Sequence, residues 1–175
     1  MRTTYNFPFK LCLLLVALLG LSLSGLSCRR AGGDAFVMVL EASPKTLDPL
    51  RGTDAASERY RQLMFNQLMR KNEQFDYVGE LASNVETAPD GLSVTFTLQD
   101  NVKFHDGKPL TSADVKYTFD KFLASDSPKA VPFFEGTGAN KQPLVTSVEA
   151  TDQRTVVFRL RRPWLELFAN LIPIA

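Results

Sequence analysis

Leu92, Val94, Phe96 and Leu98 alternate with Ser93, Thr95, Thr97 and Gln99, the period-two pattern of a strand with one buried and one wetted face. Two turns follow. Asp100-Asn101 and Asp106-Gly107 supply side chains that bond their own backbone and a glycine that tolerates positive φ, which leaves Val102 to Phe104 as a short strand between them. Thr111 can then cap a helix, its hydroxyl accepting the N–H of Asp114 while the Asp114 carboxylate sits in the positive first turn. Val115, Phe119, Phe122 and Leu123 fall on one stripe of that helix and predict its core face.

The same reading extends in both directions. Phe36 to Leu40 is a short aliphatic strand, broken by Pro44 and Pro49. A helix is predicted over 54–69, opened by Thr53 or Asp54, with Tyr60, Leu63, Met64 and Leu68 facing the core. Lys71 to Asp76 is a turn, and Pro89-Asp90-Gly91 joins a strand over 84–88 to the strand over 92–98 as a hairpin. Residues 125–143, rich in Ser, Pro, Gly, Lys and Asn, read as a long loop or short-helix segment. Leu144 to Ala150 and Thr155 to Leu160 alternate around Thr151-Asp152-Gln153-Arg154 as a further hairpin, and a helix starts over Trp164 to Leu171.

The N-terminus has a different pattern. Met1 to Lys10 holds Arg2 and Lys10 and no acid; Leu11 to Leu19 is apolar, and small residues lead up to Ser27. A basic start, a short apolar core and a small-residue exit predict a signal peptide over 1–27. A spanning helix needs about 20 apolar residues, and this run is shorter and interrupted by Gly20, Ser22, Ser24 and Gly25. Ser27-Cys28 is similar to a bacterial lipoprotein processing site and makes Cys28 the candidate lipidation residue, although Gly25 and Leu26 stand where such a site prefers leucine and a small residue. Ordinary secretory cleavage nearby is the alternative. Residues 28–35, with two glycines and no apolar run, would then be a lipid-anchored tether.

Composition narrows the function classes. Of 175 residues 45% are hydrophobic and 22% charged, the balance of a globular chain. Net charge is +1, and without the first 27 residues 18 basic groups face 19 acidic ones, so no electrostatic case exists for a nucleic-acid partner. Both cysteines lie within the first 28 residues, which leaves no thiol for an internal disulfide. His105 is the only histidine, so neither a multi-histidine zinc site nor His-Glu-x-x-His chemistry can be built. Neither Gly-x-Ser-x-Gly nor a phosphate-cradling glycine loop occurs. No catalytic residue, metal site or cofactor is expected.

Several motifs nevertheless occur together in a recognisable order. Thr95-Phe96-x-Leu98, Phe104-His105-Asp106-Gly107, Pro109-Leu110-Thr111 and Ala113-Asp114-Val115 resemble the central block of the bacterial extracellular solute-binding proteins of the oligopeptide, dipeptide and nickel group, the secreted receptors of ABC importers. Leu47-Asp48-Pro49, Phe65-x-x-Leu68, Leu81-Ala82-Ser83 and the run from Val145 through Val148, Asp152, Val156, Phe158 and Leu160 to Pro163 resemble the same family. Gln99 departs from its usual basic residue and Val85 from a frequent tryptophan.

That resemblance implies an α/β, periplasmic-binding-protein-like (type II, cluster C) fold of which only the N-terminal part of the first lobe is present. Residues 36–58 would start lobe I, and residues 59–175 would form a lobe I subdomain of hairpins and helices that belongs to a longer protein. Glu41, Ala42 and Ser43, between the first strand and the Leu-Asp-Pro turn, are the ligand contacts it implies. The implied function is a lipoprotein receptor on the outer face of the membrane that hands a peptide or similar small solute to ABC permease subunits. Relatives carry peptides, nickel chelates, haem or sugars, and the family assigns no reaction to its histidine. Two other classes stand beside this one: an envelope lipoprotein acting as a structural or interaction module, and a secreted hydrolase using His105 with Asp106 and Ser112.

Overall fold

A computed structural model describes residues 37–174, and the chain divides into two compact units, Met1–Val39 and Leu40–Ala175. The expected signal peptide, Cys28 and the expected tether lie outside the described residues. Residues 37–40 form no strand, contrary to the expected strand over 36–40, because no backbone ladder among the described residues reaches them. All elements below belong to the second unit.

Helix α1, Ala55–Met64, starts at Asp54, whose carboxylate accepts the Ser57 N–H at 3.0 Å and the Ser57 hydroxyl at 2.6 Å. It is shorter than the predicted 54–69 helix. Leu68 was expected on its core face, but the Leu68 carbonyl accepts from both the Glu80 and Ala82 N–H groups at 3.0 Å, so the chain turns extended at Phe65. Leu63, also expected inside, is 64% exposed. Strands β1 (Met69–Lys71) and β2 (Tyr77–Gly79) pair antiparallel across the predicted turn.

Four strands make the main sheet: β3 (Ala82–Thr87), β4 (Ser93–Leu98), β7 (Val145–Ala150) and β8 (Thr155–Leu160). Its order is β3-β4-β8-β7, every pair antiparallel, with Phe96 opposite Val156 and Val94 opposite Phe158. Both predicted hairpins form, and β8 closes the sheet by pairing with β4. Val94, Phe96 and Leu98 are buried while Ser93, Thr95 and Thr97 are half-exposed, as the alternation requires. Between the hairpins lie short 3-10 turns at Pro128–Phe133 and Gly138–Asn140, with the two-residue strands β5 (Phe134–Glu135) and β6 (Gln142–Pro143).

Helix α2, Ser112–Leu123, covers one sheet face with Val115, Phe119 and Phe122, all fully buried, and with Leu123 partly buried. Phe96, Phe158, Phe119, Phe122, Phe133 and Trp164 form a continuous chain of edge-on and tilted ring contacts, with centroids 4.8–6.4 Å apart. Such geometry sets the positive ring edge against the negative face. The helix start is stitched to the β7–β8 turn: the Ser112 N–H donates to Gln153 O at 2.9 Å, and the Ser112 hydroxyl donates to the Asp152 carbonyl. Thr111 caps the helix in a box with Asp114, donating its N–H at 2.8 Å and its hydroxyl at 2.7 Å to the Asp114 carboxylate. Asp114→Ala removes the oxygen that accepts both bonds and a first-turn negative charge, and should cost about 0.5–2 kcal/mol of stability in urea unfolding. Unchanged unfolding would mean the cap contributes nothing.

Two expected elements differ. Val102 to Phe104 form only an isolated bridge, Lys103 with Pro109, because the Asp106-Gly107 turn leaves room for a single pair. The helix expected over 164–171 shrinks to α3, Leu167–Asn170, since Trp164 is drawn into the aromatic core and Gln67 bridges Pro173 in extended geometry.

Candidate functional site

A cleft of about 550 Å³ opens between the C-terminal half of α1, the β1–β2 hairpin and α3. Phe65, Met69, Tyr77 and Phe168 give it an apolar wall; Arg61, Arg70, Lys71 and Glu80 give it charge. The wall is anchored, because Phe168 lies 6.0 Å from Tyr77 and 6.3 Å, edge-on, from the fully buried Phe96. A second cleft, about 300 Å³, adjoins it across Arg61, Gln67 and Ala169 and is bordered by Glu58 and Lys129.

Between the two clefts lies a network of fixed charges. Arg61 donates through Nε (2.8 Å) and Nη2 to the Glu58 carboxylate, and Lys129 Nζ pairs with the other Glu58 oxygen at 2.7 Å and donates to Pro49 O at 3.1 Å. With the Gln67 amide turned to the orientation that gives both its atoms partners, its oxygen accepts from Arg61 Nη1 at 2.8 Å and its nitrogen donates to Met69 O at 3.2 Å. Burial pushes the Glu58 pKa up, but the hydrogen bonds from Lys129 and Arg61 outweigh it and hold the carboxyl below its ordinary value. Its depressed folded pKa means the folded state binds fewer protons than the unfolded chain. The resulting stabilisation is present above the ordinary glutamate pKa of about 4.3 and is lost as pH falls through the folded value. Glu58→Gln should therefore lower stability at pH 7 and flatten the loss between about pH 5 and pH 3. Urea midpoints measured across that range check it, and curves parallel to the parent's would disprove it.

Glu41, Ala42 and Ser43 are exposed and do not line these clefts. His105 is exposed on its turn and borders a smaller apolar groove of about 230 Å³ with Met64, Phe104 and Ile174. Its sequence neighbours are engaged elsewhere. Asp106 pairs with Lys108 Nζ at 2.7 Å and accepts the Lys108 N–H at 3.0 Å, and Ser112 spends its buried hydroxyl on the Asp152 carbonyl. A serine used as a helix anchor is no activated nucleophile, so the hydrolase reading loses its triad. Arg154, Arg159 and Arg162 each pair with a carboxylate, Asp100, Glu149 and Glu135 respectively, and Arg161 bonds Pro143 O and Gln142. No group of three or more metal-ligating side chains occurs among the described residues, nor any helix long and apolar enough to cross a membrane.

Sequence reasoning missed the large cleft. Its lining comes from residues 61–80 and from 168–169, segments that no local pattern connects. The one sequence signal was Phe65 to Lys71, where apolar and basic residues crowd together just before a turn.

Comparison with known proteins agrees with this architecture. A profile of the bacterial extracellular solute-binding proteins, family 5, middle region, matches residues 76–175. Over 143 residues the chain is 32% identical to the protein named Probable D,D-dipeptide-binding periplasmic protein DdpA of Escherichia coli, covering 79% of this chain and 26% of that one. It is 28% identical over 130 residues to oligopeptide-binding protein AppA of Bacillus subtilis, with coverages of 74% and 22%. Among solved structures, the ABC transporter substrate-binding protein CtaP of Listeria monocytogenes superposes with a TM-score of 0.67 at 27% identity, over 78% of this chain and 27% of that one. The chain thus spans about a quarter of the length of these relatives.

Proposed function

The chain belongs to the bacterial extracellular solute-binding proteins, family 5, and from that membership we propose that it forms part of the first lobe of an ABC-importer receptor. The receptor captures a peptide or similar small solute outside the cytoplasm and delivers it to membrane permease subunits, with Cys28 carrying the lipid that holds it to the membrane. The observation that carries this reading is the profile match over residues 76–175, supported by the superposition on CtaP. The physical role follows from the packing. A lobe that closes on a solute must move as a rigid body, and a sheet locked to α2 by interleaved aromatic rings gives that rigidity. Glu41, Ala42 and Ser43, exposed ahead of Pro44, are the contacts proposed for the solute, and Glu41 would meet a cationic or N–H group.

A mixed library of di- to pentapeptides, presented to the protein recovered from bacterial envelopes and read by mass spectrometry of the retained fraction, tests this. Specific retention that weakens on Glu41→Ala is expected. Failure to retain any peptide would remove peptide capture. In parallel, labelled fatty acid should appear on the parent and not on Cys28→Ser, which should leave the membrane fraction; equal membrane retention of that variant would remove the lipid anchor.

A further inference from the structure

Glu41, Ala42 and Ser43 are exposed, and no hydrogen bond among the described residues is made to them. What fixes their place is the chain that follows. Only Pro44 separates Ser43 from Lys45, and a proline fixes its own φ and confines the residue before it. Lys45 is then held at once: its N–H donates to the Ser57 hydroxyl oxygen at 3.1 Å, and the Thr46 N–H donates to the same oxygen at 3.3 Å. The hydroxyl proton of Ser57 goes to the Asp54 carboxylate, which can only accept, so both lone pairs are left for the two amides. Ser57 is 3% exposed, in the first turn of α1, and its side chain has no bonding capacity left over. The chain then wraps back over it. The Arg51 and Gly52 N–H groups donate to Asp48 O at 3.3 and 3.2 Å, and Gly52 passes so close that a Cβ there would stand 2.8 Å from Ser57 Cβ. The far limb of this loop is tied as well, since the Ser127 hydroxyl donates to the Leu50 carbonyl and Arg51 pairs with Asp126 at 2.7 Å.

We propose that Ser57 is a positioning residue for solute capture: its buried hydroxyl, by holding the Lys45 and Thr46 amides, sets where Glu41, Ala42 and Ser43 stand. The inference rests on the reading of those three residues as solute contacts and adds to it the group that fixes them. A contact segment that is already seated costs less to order when a solute arrives, so seating it strengthens binding without any touch between Ser57 and the solute. Alanine at 57 removes the one acceptor of two backbone N–H groups, and the entry to the loop is then free to open locally while the sheet and α2, which make none of these bonds, stay closed.

The test compares the parent with Ser57→Ala, with Gly52→Ala, which keeps the hydroxyl but crowds the loop off it, and with Asp114→Ala, whose lesion lies at the start of α2. Backbone amide hydrogen exchange and retention of the mixed di- to pentapeptide library are measured on each. In Ser57→Ala the Lys45 and Thr46 amides should exchange roughly tenfold faster and retention should fall roughly tenfold, the scale of one or two lost hydrogen bonds, while the amides of β4 and β8 exchange as in the parent. Gly52→Ala should also lose retention. Asp114→Ala, although less stable, should keep parent values at Lys45 and Thr46 and in retention. Unchanged exchange of the Lys45 and Thr46 amides in Ser57→Ala, parent-level retention in both loop variants, or an equal loss of retention in Asp114→Ala would each overturn the proposal. A parent that retains no peptide strikes the solute-contact reading and the proposal with it, a result distinct from a parent that retains peptide and a Ser57→Ala variant that matches it.

Discussion

Phe158→Ala should lower the unfolding free energy by about 3–5 kcal/mol, a large part of the roughly 5–15 kcal/mol that holds a domain together. Phe158 is fully buried on β8, the strand bonded on both sides, to β4 and to β7. Its ring meets Phe119 edge-on at 4.8 Å and Phe96 at 5.3 Å, so it joins the sheet to the helix. Truncation leaves a void whose walls cannot close. The strand backbone is fixed by two ladders, and α2 is held at its start by Ser112 and Thr111. Tyr117→Ala, on the same helix but 61% exposed, is the matched control and should stay within about 0.5 kcal/mol. Urea unfolding of both variants decides it: similar midpoints would mean that the ring stack is not where the stability resides.

The part of the fold that could be read from sequence is the part decided locally. Val94, Phe96 and Leu98 carry the alternation and bury as it requires, while Leu92, the first residue of the same pattern, falls just outside β4 and is 40% exposed. The stripe of α2 was legible because its apolar spacing and its Thr111–Asp114 start lie within one helix. What could not be read was decided from a distance. Leu68 continues the helical spacing of Tyr60 and Met64, yet its carbonyl is claimed by Glu80 and Ala82, which a sequence window centred on α1 does not weigh. The same holds for Trp164, whose ring packs on Phe133 and ends any helix there. The cleft is the extreme case. Tyr77 meets Phe168 only because the β1–β2 hairpin folds back on a segment some ninety residues later, and periodicity carries no information at that range.

Gly79→Ala should be the more damaging of two glycine substitutions that look alike in sequence. At Gly79 a Cβ would stand 2.1 Å from the Ala82 carbonyl oxygen, a backbone atom that cannot rotate away. The chain doubles tightly here: the Glu80 and Ala82 N–H groups both donate to Leu68 O at 3.0 Å, and the Leu81 N–H donates to Gln67 O at 3.0 Å. Making room for a methyl group means drawing β2 away from the start of β3 and loosening those bonds around the fully buried Leu68. Overpacking of this kind costs about 1–3 kcal/mol, and here lost backbone bonds add to it. Gly107, by contrast, has φ +85° and nothing within 4 Å of an added Cβ, so alanine there meets only the left-handed backbone penalty of about 1–2 kcal/mol. Thermal unfolding of both proteins checks the order. A Gly107 variant less stable than the Gly79 variant would show that the Gly79 crossing relaxes, and that backbone conformation, not close approach, governs these turns.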